Sequence, residues 1–221
     1  MSQRILVWDV PTRMFHWLLV LSFTGAFLTA ESERNRDIHV AFGYILLGLL
    51  AFRLLWGFIG TRYARFGSFL FGPREVVAYL KSLVNRKPAH YVGHNPAGIV
   101  AIWLLLILGA VSGISGVMGF QEIGGDLMEE MHDVSSYAML AVVAVHVLGV
   151  AVSSVLHREN LVRAMITGFK SDGKSEGIKR SYAWLSVIML VAVMAFWFGY
   201  PAIGAVSSGG VATHAGQNSD D

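Results

Sequence analysis

The sequence predicts an all-α integral membrane protein, built as a four-helix transmembrane bundle followed by a fifth, C-terminal transmembrane helix. Hydrophobic residue types make up 54% of the 221 residues and charged types only 14%, whereas soluble domains carry about 25% charged residues. The mean hydropathy is +0.55. Five apolar segments approach the roughly 20 residues that a helix needs to cross a bilayer. Together these features argue against a soluble protein.

The five apolar segments lie at residues 15–30, 38–59, 97–117, 134–156 and 182–200. The first is short, and it reaches the length of a span if Pro11 opens its helix, since proline is favoured at the first helical position. A cleaved secretory signal is the alternative for this segment. Residues 28–30 make a poor cleavage site, and Asp9 is unusual in the basic region of a signal. We therefore expect the segment to be retained as a span.

Basic residues alternate between the two sides of these segments. Six Lys and Arg lie between segments two and three, against one acidic residue, and six more follow segment four. The loop between segments three and four has no Lys or Arg and five acidic residues. The positive-inside rule then predicts a multi-pass membrane protein whose N-terminus is cytoplasmic and whose C-terminus lies on the opposite, outer side.

Cysteine is absent from the sequence. This excludes disulfides, thiol nucleophiles, Cys-ligated zinc, iron–sulfur clusters and covalently attached haem. The net charge of +2 and the lack of a basic face interleaved with aromatics argue against nucleic-acid binding. Any metal would depend on His, Met, Asp, Glu or Tyr.

Four histidines fall within or at the edges of the apolar segments: His16, His39, His132 and His146. A single histidine in a span is commonly bonded to a neighbouring helix, but four need a joint explanation. His132 and His146 are 14 positions apart on one helix, which is about 21 Å along the axis and about 40° around it. That helix therefore presents two imidazoles at two depths. His39 lies near the depth of one, and His16 near the depth of the other.

Haem fits this arrangement, because a six-coordinate haem iron takes an axial ligand on each face and neutral imidazole is a common ligand. His157 keeps the assignment open, since it lies 11 positions beyond His146 and returns to the same face. His132 and His157 are about 37 Å apart along a straight helix, more than the hydrocarbon core. We expect His157 at the cytoplasmic interface. Small residues that could flank a macrocycle, or serve ordinary helix packing, are Gly25, Gly43, Gly48, Gly109, Gly113, Gly116 and Gly149.

Several short strings share an order and placement relative to the segments. They are Val7-Trp8-Asp9 with Thr12-Arg13 and His16-Trp17, Ile38-His39-Val40 with Gly43-Tyr44, Arg53-Leu54-Leu55-Trp56-Gly57, Gly93-His94-Asn95-Pro96, and His157-Arg158-Glu159-Asn160. Over roughly residues 4–170 the sequence resembles the prokaryotic cytochrome b561 family, which includes the b-type cytochrome subunits of nickel–iron hydrogenases.

The resemblance implies two non-covalent b haems, each held by two histidines. His16 and His146 would hold the haem on the cytoplasmic side, and His39 and His132 the haem on the periplasmic side. The family pattern, rather than spacing, favours His146 over His157. The resemblance also implies a location in the bacterial inner membrane and a dihaem domain over residues 1–170. Outside the resemblance, the sequence predicts a linker and fifth helix over 171–200 and, from its Gly- and Ser-rich composition, a disordered periplasmic tail over 201–221.

Three further residues have a role under this resemblance. Arg53, deep in segment two, would pair with a haem propionate or extend to the interface. Arg13 would meet a propionate or act as a positive-inside anchor. His94 would cap the helix of segment three or line a quinone pocket, with the structural role favoured.

The function that the resemblance implies is electron transfer between the quinone pool and a periplasmic redox partner, which would be a hydrogenase, a dehydrogenase or a c-type cytochrome. Whether the chain acts alone as a quinol oxidoreductase or as a subunit stays open. A histidine-based transporter or proton relay without haem is the alternative. Against it, no span is broken in a repeated pattern and no acidic residue lies mid-span.

Overall fold

The structure is a computed structural model that describes residues 4–68, 70–86, 89–171 and 175–215, with side chains as far as Tyr200. Over these residues it is helical apart from two short strands. The elements are β1 Arg4–Leu6, α1 Val10–Thr29, α2 Arg36–Ile59, α3 Pro73–Val84, α4 Pro96–Phe120, α5 Asp126–His157, α6 Leu161–Thr167, β2 Phe169–Ser171 and α7 Ala183–Ala215, with 3-10 turns at Glu33–Asn35 and Phe66–Ser68.

The five apolar segments of the sequence correspond to α1, α2, α4, α5 and α7. Within the described residues, four stretches are long and apolar enough to cross a membrane: Glu33–Ile59, Pro96–Phe120, Asp126–His157 and Ala183–Tyr200. Helix α1 has 20 residues, but the polar side chains of Thr12, Arg13 and His16 lower its mean hydropathy. The prediction of a helical membrane protein is therefore supported with four candidate spans, and the arrangement of five spans stays a prediction.

Helices α1 and α4 begin with the same kind of N-cap. The Asp9 side chain accepts a hydrogen bond of 2.7 Å from the Thr12 amide, and the Asn95 side chain accepts one of 2.7 Å from the Gly98 amide. Each cap is followed by a proline within the first two helical positions, where its missing N–H costs nothing. The prediction that Pro11 opens the first helix is confirmed.

The long helices run antiparallel in two hairpins, α1 with α2 and α4 with α5. We call the end where α1 and α4 begin and α2 and α5 end the Asp9 end, and the opposite end the His39 end. In the described part of the chain the closely packed helix pairs are α1 with α2, α2 with α4, α4 with α5 and α1 with α7, whereas α5 does not pack closely on α1 or α2.

Two apolar clusters hold the hairpins together. One joins α2, α4 and α5 through Leu46, Leu50, Leu106 and Met139. The other joins α1, α2 and α7 through buried residues that include Phe15, Leu49 and Met189. Large apolar side chains on the outer faces of the helices are exposed, as expected of helices surrounded by lipid.

A two-stranded ribbon at the Asp9 end joins distant parts of the chain. Strands β1 and β2 pair antiparallel, with Ile5 opposite Lys170. Val7 and Trp8 both donate from their backbone amides to the Gly168 carbonyl, at 2.8 and 3.1 Å. The sequence pattern did not predict this ribbon, because strands of three residues carry no usable periodicity.

Helix α7 extends to Ala215, past Pro201, where the sequence predicts a disordered tail to begin. Residues 201–215 are thus helical, which differs from that prediction; Ala202, Ile203, Ala205 and Val206 continue the apolar composition beyond the proline. The rest of the predicted tail, residues 216–221, lies outside the described residues. The division into domains stays a prediction.

Candidate functional site

Two of the four predicted ligands meet at the His39 end. The rings of His39 on α2 and His132 on α5 have centroids 5.9 Å apart, with an angle of 83° between their planes. Two imidazoles that bind one iron from opposite sides, through metal–nitrogen bonds of about 2 Å, have ring centres about 6 Å apart. The separation of this pair therefore fits a haem iron between them.

Backbone carbonyls fix the protonation of both rings. His39 Nδ1 donates to the Ala26 carbonyl at 2.9 Å, and His132 Nδ1 donates to the Ser112 carbonyl at 2.8 Å. Because a carbonyl only accepts, each ring carries its proton on Nδ1 and keeps the lone pair on Nε2. Metal-ligating histidines have this second hydrogen bond as a rule, since it orients the ring and raises its basicity.

Gly116 on α4 leaves the space in which the His132 ring lies. A Cβ atom at position 116 would come within 2.7 Å of His132 Nδ1 and 2.9 Å of its Cε1. Real Cβ contacts are essentially never under 3.0 Å, so an L side chain there would displace the ring. Of the seven glycines singled out in the sequence, this one has a direct role in shaping the site.

The other two predicted ligands lie toward the Asp9 end, on α1 and α5. His16 Nδ1 is buried and has no hydrogen-bond partner in the described structure. His146 is half-buried and is close enough to His16 for their charges to interact. A buried imidazole nitrogen without a hydrogen-bond partner costs free energy unless another group satisfies it. A role of His16 in binding haem iron would supply such a group.

Open space accompanies both pairs. Nothing lies within 4 Å of a Cβ built at Gly43, one turn beyond His39, or at Gly149, one turn beyond His146. The residues present therefore fit a flat macrocycle, by their donor chemistry, an orphaned imidazole nitrogen and the space beside the rings.

Arg53 is buried rather than extended to the interface. Only 4% of its surface is exposed, and its guanidinium lies over the Phe66 ring at 4.8 Å from the centroid. The Asp9 carboxylate is near enough to attract it. This burial against Phe66 argues against extension of Arg53 to the membrane surface, and its pairing with a haem propionate stays a prediction.

Asp9 was missed by the sequence reasoning and is a central polar residue of this end. It is fully buried and accepts hydrogen bonds from the Thr12 amide, from Trp56 Nε1 at 3.2 Å and from the Thr61 hydroxyl. It thereby ties the start of α1 to the end of α2. An acidic residue just before a Pro-initiated helix was the available signal.

Arg13 contacts the backbone of α6 in this structure. Its Nη1 donates to the Ile166 carbonyl and its Nε to the Asp9 carbonyl at 3.4 Å. A cation at a helix C-terminus is favourable, because the last carbonyls lack partners there. The structure thus shows a bracing contact between α1 and α6, and a propionate contact for Arg13 stays a prediction.

His94 is half-buried and lies next to the Trp8 ring, at 4.6 Å between centroids. Asn95, not His94, caps α4, so the capping role considered for His94 is wrong. Burial first, and then the positive charges of Arg53, Lys170 and His146, lower the pKa of His94 to about 3. His94 is therefore neutral, and it lines a cavity of about 200 Å³ at the Asp9 end.

His157 contacts α3 and the loop before α4. Its Nε2 lies 3.5 Å from the Tyr79 hydroxyl, and its ring centroid lies 6.1 Å from that of His90. The His157 ring thus contacts Tyr79 and His90, and none of the four ligand candidates has these contacts. In the described residues no group of three or more His, Cys, Asp or Glu could hold a metal ion; a bis-His haem needs only two protein ligands.

A family model described as prokaryotic cytochrome b561 matches residues 7–168. The chain belongs to this family. Membership implies haem b as the cofactor and electron transport as the general role, as the sequence predicts. The matched region contains all four candidate ligands together with Arg13 and Arg53.

The relatives are similar over most of their length. A probable Ni/Fe-hydrogenase B-type cytochrome subunit from Azotobacter vinelandii is 26% identical over 216 residues, covering 75% of this chain and 88% of the relative. A protein of the same description from Rhizobium leguminosarum bv. viciae is 26% identical, with the same coverage. The Ni/Fe-hydrogenase 1 counterpart from Escherichia coli K12 is 23% identical and covers 79% of this chain and 95% of the relative. No solved structure matches the chain significantly.

Proposed function

We propose that this protein is a dihaem b-type cytochrome that carries electrons across the bacterial inner membrane, between the quinone pool and a redox partner on the periplasmic side. The main support is the His39–His132 pair, whose rings are 5.9 Å apart and whose Nδ1 atoms are both bonded to carbonyls. The second pair, His16 and His146, lies at another level of the same bundle.

The distance between the two pairs suits electron transfer in two steps. Helix α5 is continuous from Asp126 to His157, so the 14-residue spacing of His132 and His146 places them about 21 Å apart along its axis. The edges of two macrocycles held at those positions would be much closer than their centres. This spacing makes the bilayer passable for electrons without moving any part of the protein.

The chain itself supplies ligation, orientation and charge. A bound haem supplies one-electron redox chemistry. The four imidazoles would hold two haems in pairs, and the Ala26 and Ser112 carbonyls orient His39 and His132 so that Nε2 would be the ligand atom. The buried guanidinium of Arg53 is suited to balance the carboxylates of the cofactor.

The partner we propose is a Ni/Fe hydrogenase, because the three relatives above are named as subunits of such enzymes. A dehydrogenase or a c-type cytochrome would fit the same role. The acidic residues that join α4 to α5 lie at the His39 end, which the positive-inside rule places in the periplasm. A partner would receive or deliver electrons there.

We place quinone exchange at the Asp9 end, in the cavity of about 200 Å³ lined by Tyr63, Tyr91 and His94 among others. Neutral His94 can donate or accept a hydrogen bond, as a quinone oxygen requires. Its charge interaction with His146 puts this cavity near the second histidine pair.

We further propose that residues 1–170 form the haem-binding domain and that residues 171–200 add a linker and a fifth span. Helix α7 packs on α1 and α2 through Met189, which contacts the cluster of Phe15 and Leu49. This contact lies away from the open region beside α5, so α7 is suited to support α1 and not to bind haem.

The test is a dithionite-reduced minus oxidised visible spectrum of the purified protein, with haem counted per chain. Two b haems are expected, and His39→Ala and His16→Ala should each retain one. His90→Ala is the matched control and should retain two. A single haem in the unsubstituted protein would break one pair, and no haem after expression with adequate haem supply would favour the transporter.

A further inference from the structure

Three side chains at the Asp9 end form a cluster that the haem sites do not use. The Tyr79 hydroxyl on α3 lies 3.5 Å from His157 Nε2 at the end of α5. The His157 ring lies 6.1 Å from the His90 ring. We call Tyr79, His157 and His90 the Tyr79 cluster.

The cluster runs from solvent into the protein. His90 is exposed, His157 is half-buried and Tyr79 is only 2% exposed. Direct hydrogen bonding joins Tyr79 to His157, and the gap between the two histidine rings is wide enough for one bridging water. Every member can both donate and accept a proton, so the order of burial is also an order in which protons could pass.

The inner end of the cluster is fixed on the side of α5 that carries His146. The Tyr79 hydroxyl is also close enough to Ser153 to interact with it, and Ser153 is buried. Ser153 and His157 follow His146 by 7 and 11 residues, and each spacing returns within about 20° of the same helix face. Tyr79 is therefore attached to α5 two turns from a proposed haem ligand.

The cluster also adjoins the cavity proposed for quinone exchange. Tyr91 lines that cavity, and its ring packs edge-on against the Tyr79 ring at 5.6 Å between centroids. Burial raises the pKa of Tyr79, with Ser153 opposing and Tyr91 reinforcing the shift, so Tyr79 keeps its proton until a stronger base forms beside it. A reduced quinone oxygen is such a base.

The charges around His157 are balanced. Lys170 and Glu159 lie on the segments that follow α5 and form an ion pair of 3.6 Å with each other. Lys170 also donates to the Tyr91 and Val92 carbonyls, at 3.4 and 3.2 Å.

We propose that the Tyr79 cluster conducts the protons that accompany electron transfer to a quinone at the Asp9 end. The proposal rests on the proposed function. Reduction of a quinone to a quinol takes two electrons, delivered singly by the haem, and two protons. For each proton, the Tyr79 O–H bond breaks and a quinol O–H bond forms, with the proton passed between them by the hydroxyl of Tyr91, a residue that lines the cavity. His157 returns a proton to Tyr79, and His90 reprotonates His157 from the aqueous phase through a bridging water.

The experiment compares two oxidants of the reduced haems in the purified full-length holoprotein. Stopped-flow absorbance follows haem oxidation by a short-chain ubiquinone analogue, which takes protons, and by ferricyanide, which takes none. The variants are Tyr79→Phe and His157→Gln, with Tyr137→Phe as a matched control, since Tyr137 is an exposed tyrosine of α5 at the opposite end.

Oxidation by the quinone analogue should slow at least about tenfold in both variants, since a positioned proton donor contributes roughly 100-fold or more and water recovers part of it. The same reaction in the unsubstituted protein should slow in D₂O. Ferricyanide oxidation, haem content and the Tyr137→Phe control should be unchanged.

Three results would overturn the proposal. Loss of one haem from His157→Gln would make His157 a ligand. Equal slowing with both oxidants would make the cluster structural, and unchanged quinone rates in the variants would remove it from the proton path. If the quinone analogue fails to oxidise the unsubstituted protein, the proposed quinone role is wrong, and so is proton conduction by the Tyr79 cluster, which depends on that role.

Discussion

The substitution Gly116→Ala tests whether His132 is a ligand held in place by α4. Alanine is favoured over glycine within a helix by about 1 kcal/mol, so the change does not weaken α4 itself. Its Cβ would lie 2.7 Å from His132 Nδ1, against 3.4 Å or more in ordinary contact. The ring must therefore move by about 0.7 Å, which exceeds the positional tolerance of roughly 0.5 Å for a functional site.

That movement also weakens the 2.8 Å bond from His132 Nδ1 to the Ser112 carbonyl, because hydrogen bonds lose strength as they lengthen. Loss of such an outer partner costs about 10–100-fold in affinity at metal sites. We therefore expect one of the two haems to transfer to excess apomyoglobin about 10–100 times faster in Gly116→Ala, with the other haem unaffected.

The matched control is Gly119→Ala, one turn further along α4, where a Cβ would meet Glu129 at an ordinary 3.7 Å. This variant should release both haems at the unsubstituted rate. If Gly116→Ala also keeps both haems with unchanged kinetics and spectrum, then His132 does not ligate iron in the position seen here.

Three other outcomes are expected. Asp9→Ala removes three hydrogen bonds at a buried site and should destabilise the protein by about 2–3 kcal/mol, seen as a lower Tm in detergent; an unchanged Tm would make Asp9 dispensable. His157→Gln should retain both haems by the pyridine haemochrome assay, whereas a single remaining haem would mean that His157 is a ligand. The lowered pKa of His94, about 3, means that the unfolded chain takes up a proton below about pH 6.5 that the folded chain refuses. Stability should thus be lost as pH falls from 6.5 toward 3, by up to about 1.4 kcal/mol per pH unit, and His94→Gln should flatten that slope of Tm against pH; an identical slope would contradict it.

The sequence was sufficient to locate the long helices and to place His39 near the depth of His132. Hydropathy and the alternation of charge locate the long helices, because both properties repeat along a continuous stretch of chain. The 14-residue spacing of His132 and His146 gives their depth and face directly, since both lie on one uninterrupted helix. Pro11 marks the start of α1 for the same local reason.

The sequence patterns did not predict the contacts between residues that are distant in the chain. The carbonyls of Ala26 and Ser112 bond to histidines 13 and 20 residues away, and every backbone carries carbonyls, so nothing in the sequence marks these two. The burial of Arg53 depends on Phe66 and on the segment around it. Likewise, Tyr79 meets His157 only because α3 folds back on the end of α5.

His94 shows a further limit of local patterns. Its position just before Asn95 and Pro96 suits a helix cap as well as a ligand pocket, and Asn95 takes the capping role. Only the packing of Trp8 against its ring shows that the β1 end of the chain covers it. The capping residue and the cavity-lining residue, Asn95 and His94, are neighbours in the sequence but have different surroundings in the structure.

The ribbon of β1 and β2 sets an order of assembly. Residues 4–6 are synthesised well before their partners at 169–171, which follow only after both helical hairpins have been made. Closing so long a loop is slow and comes late in folding. The Asp9 end therefore stays open while the hairpins insert, and a macrocycle bound by His16 and His146, as we propose, would have a route to them before the ribbon forms.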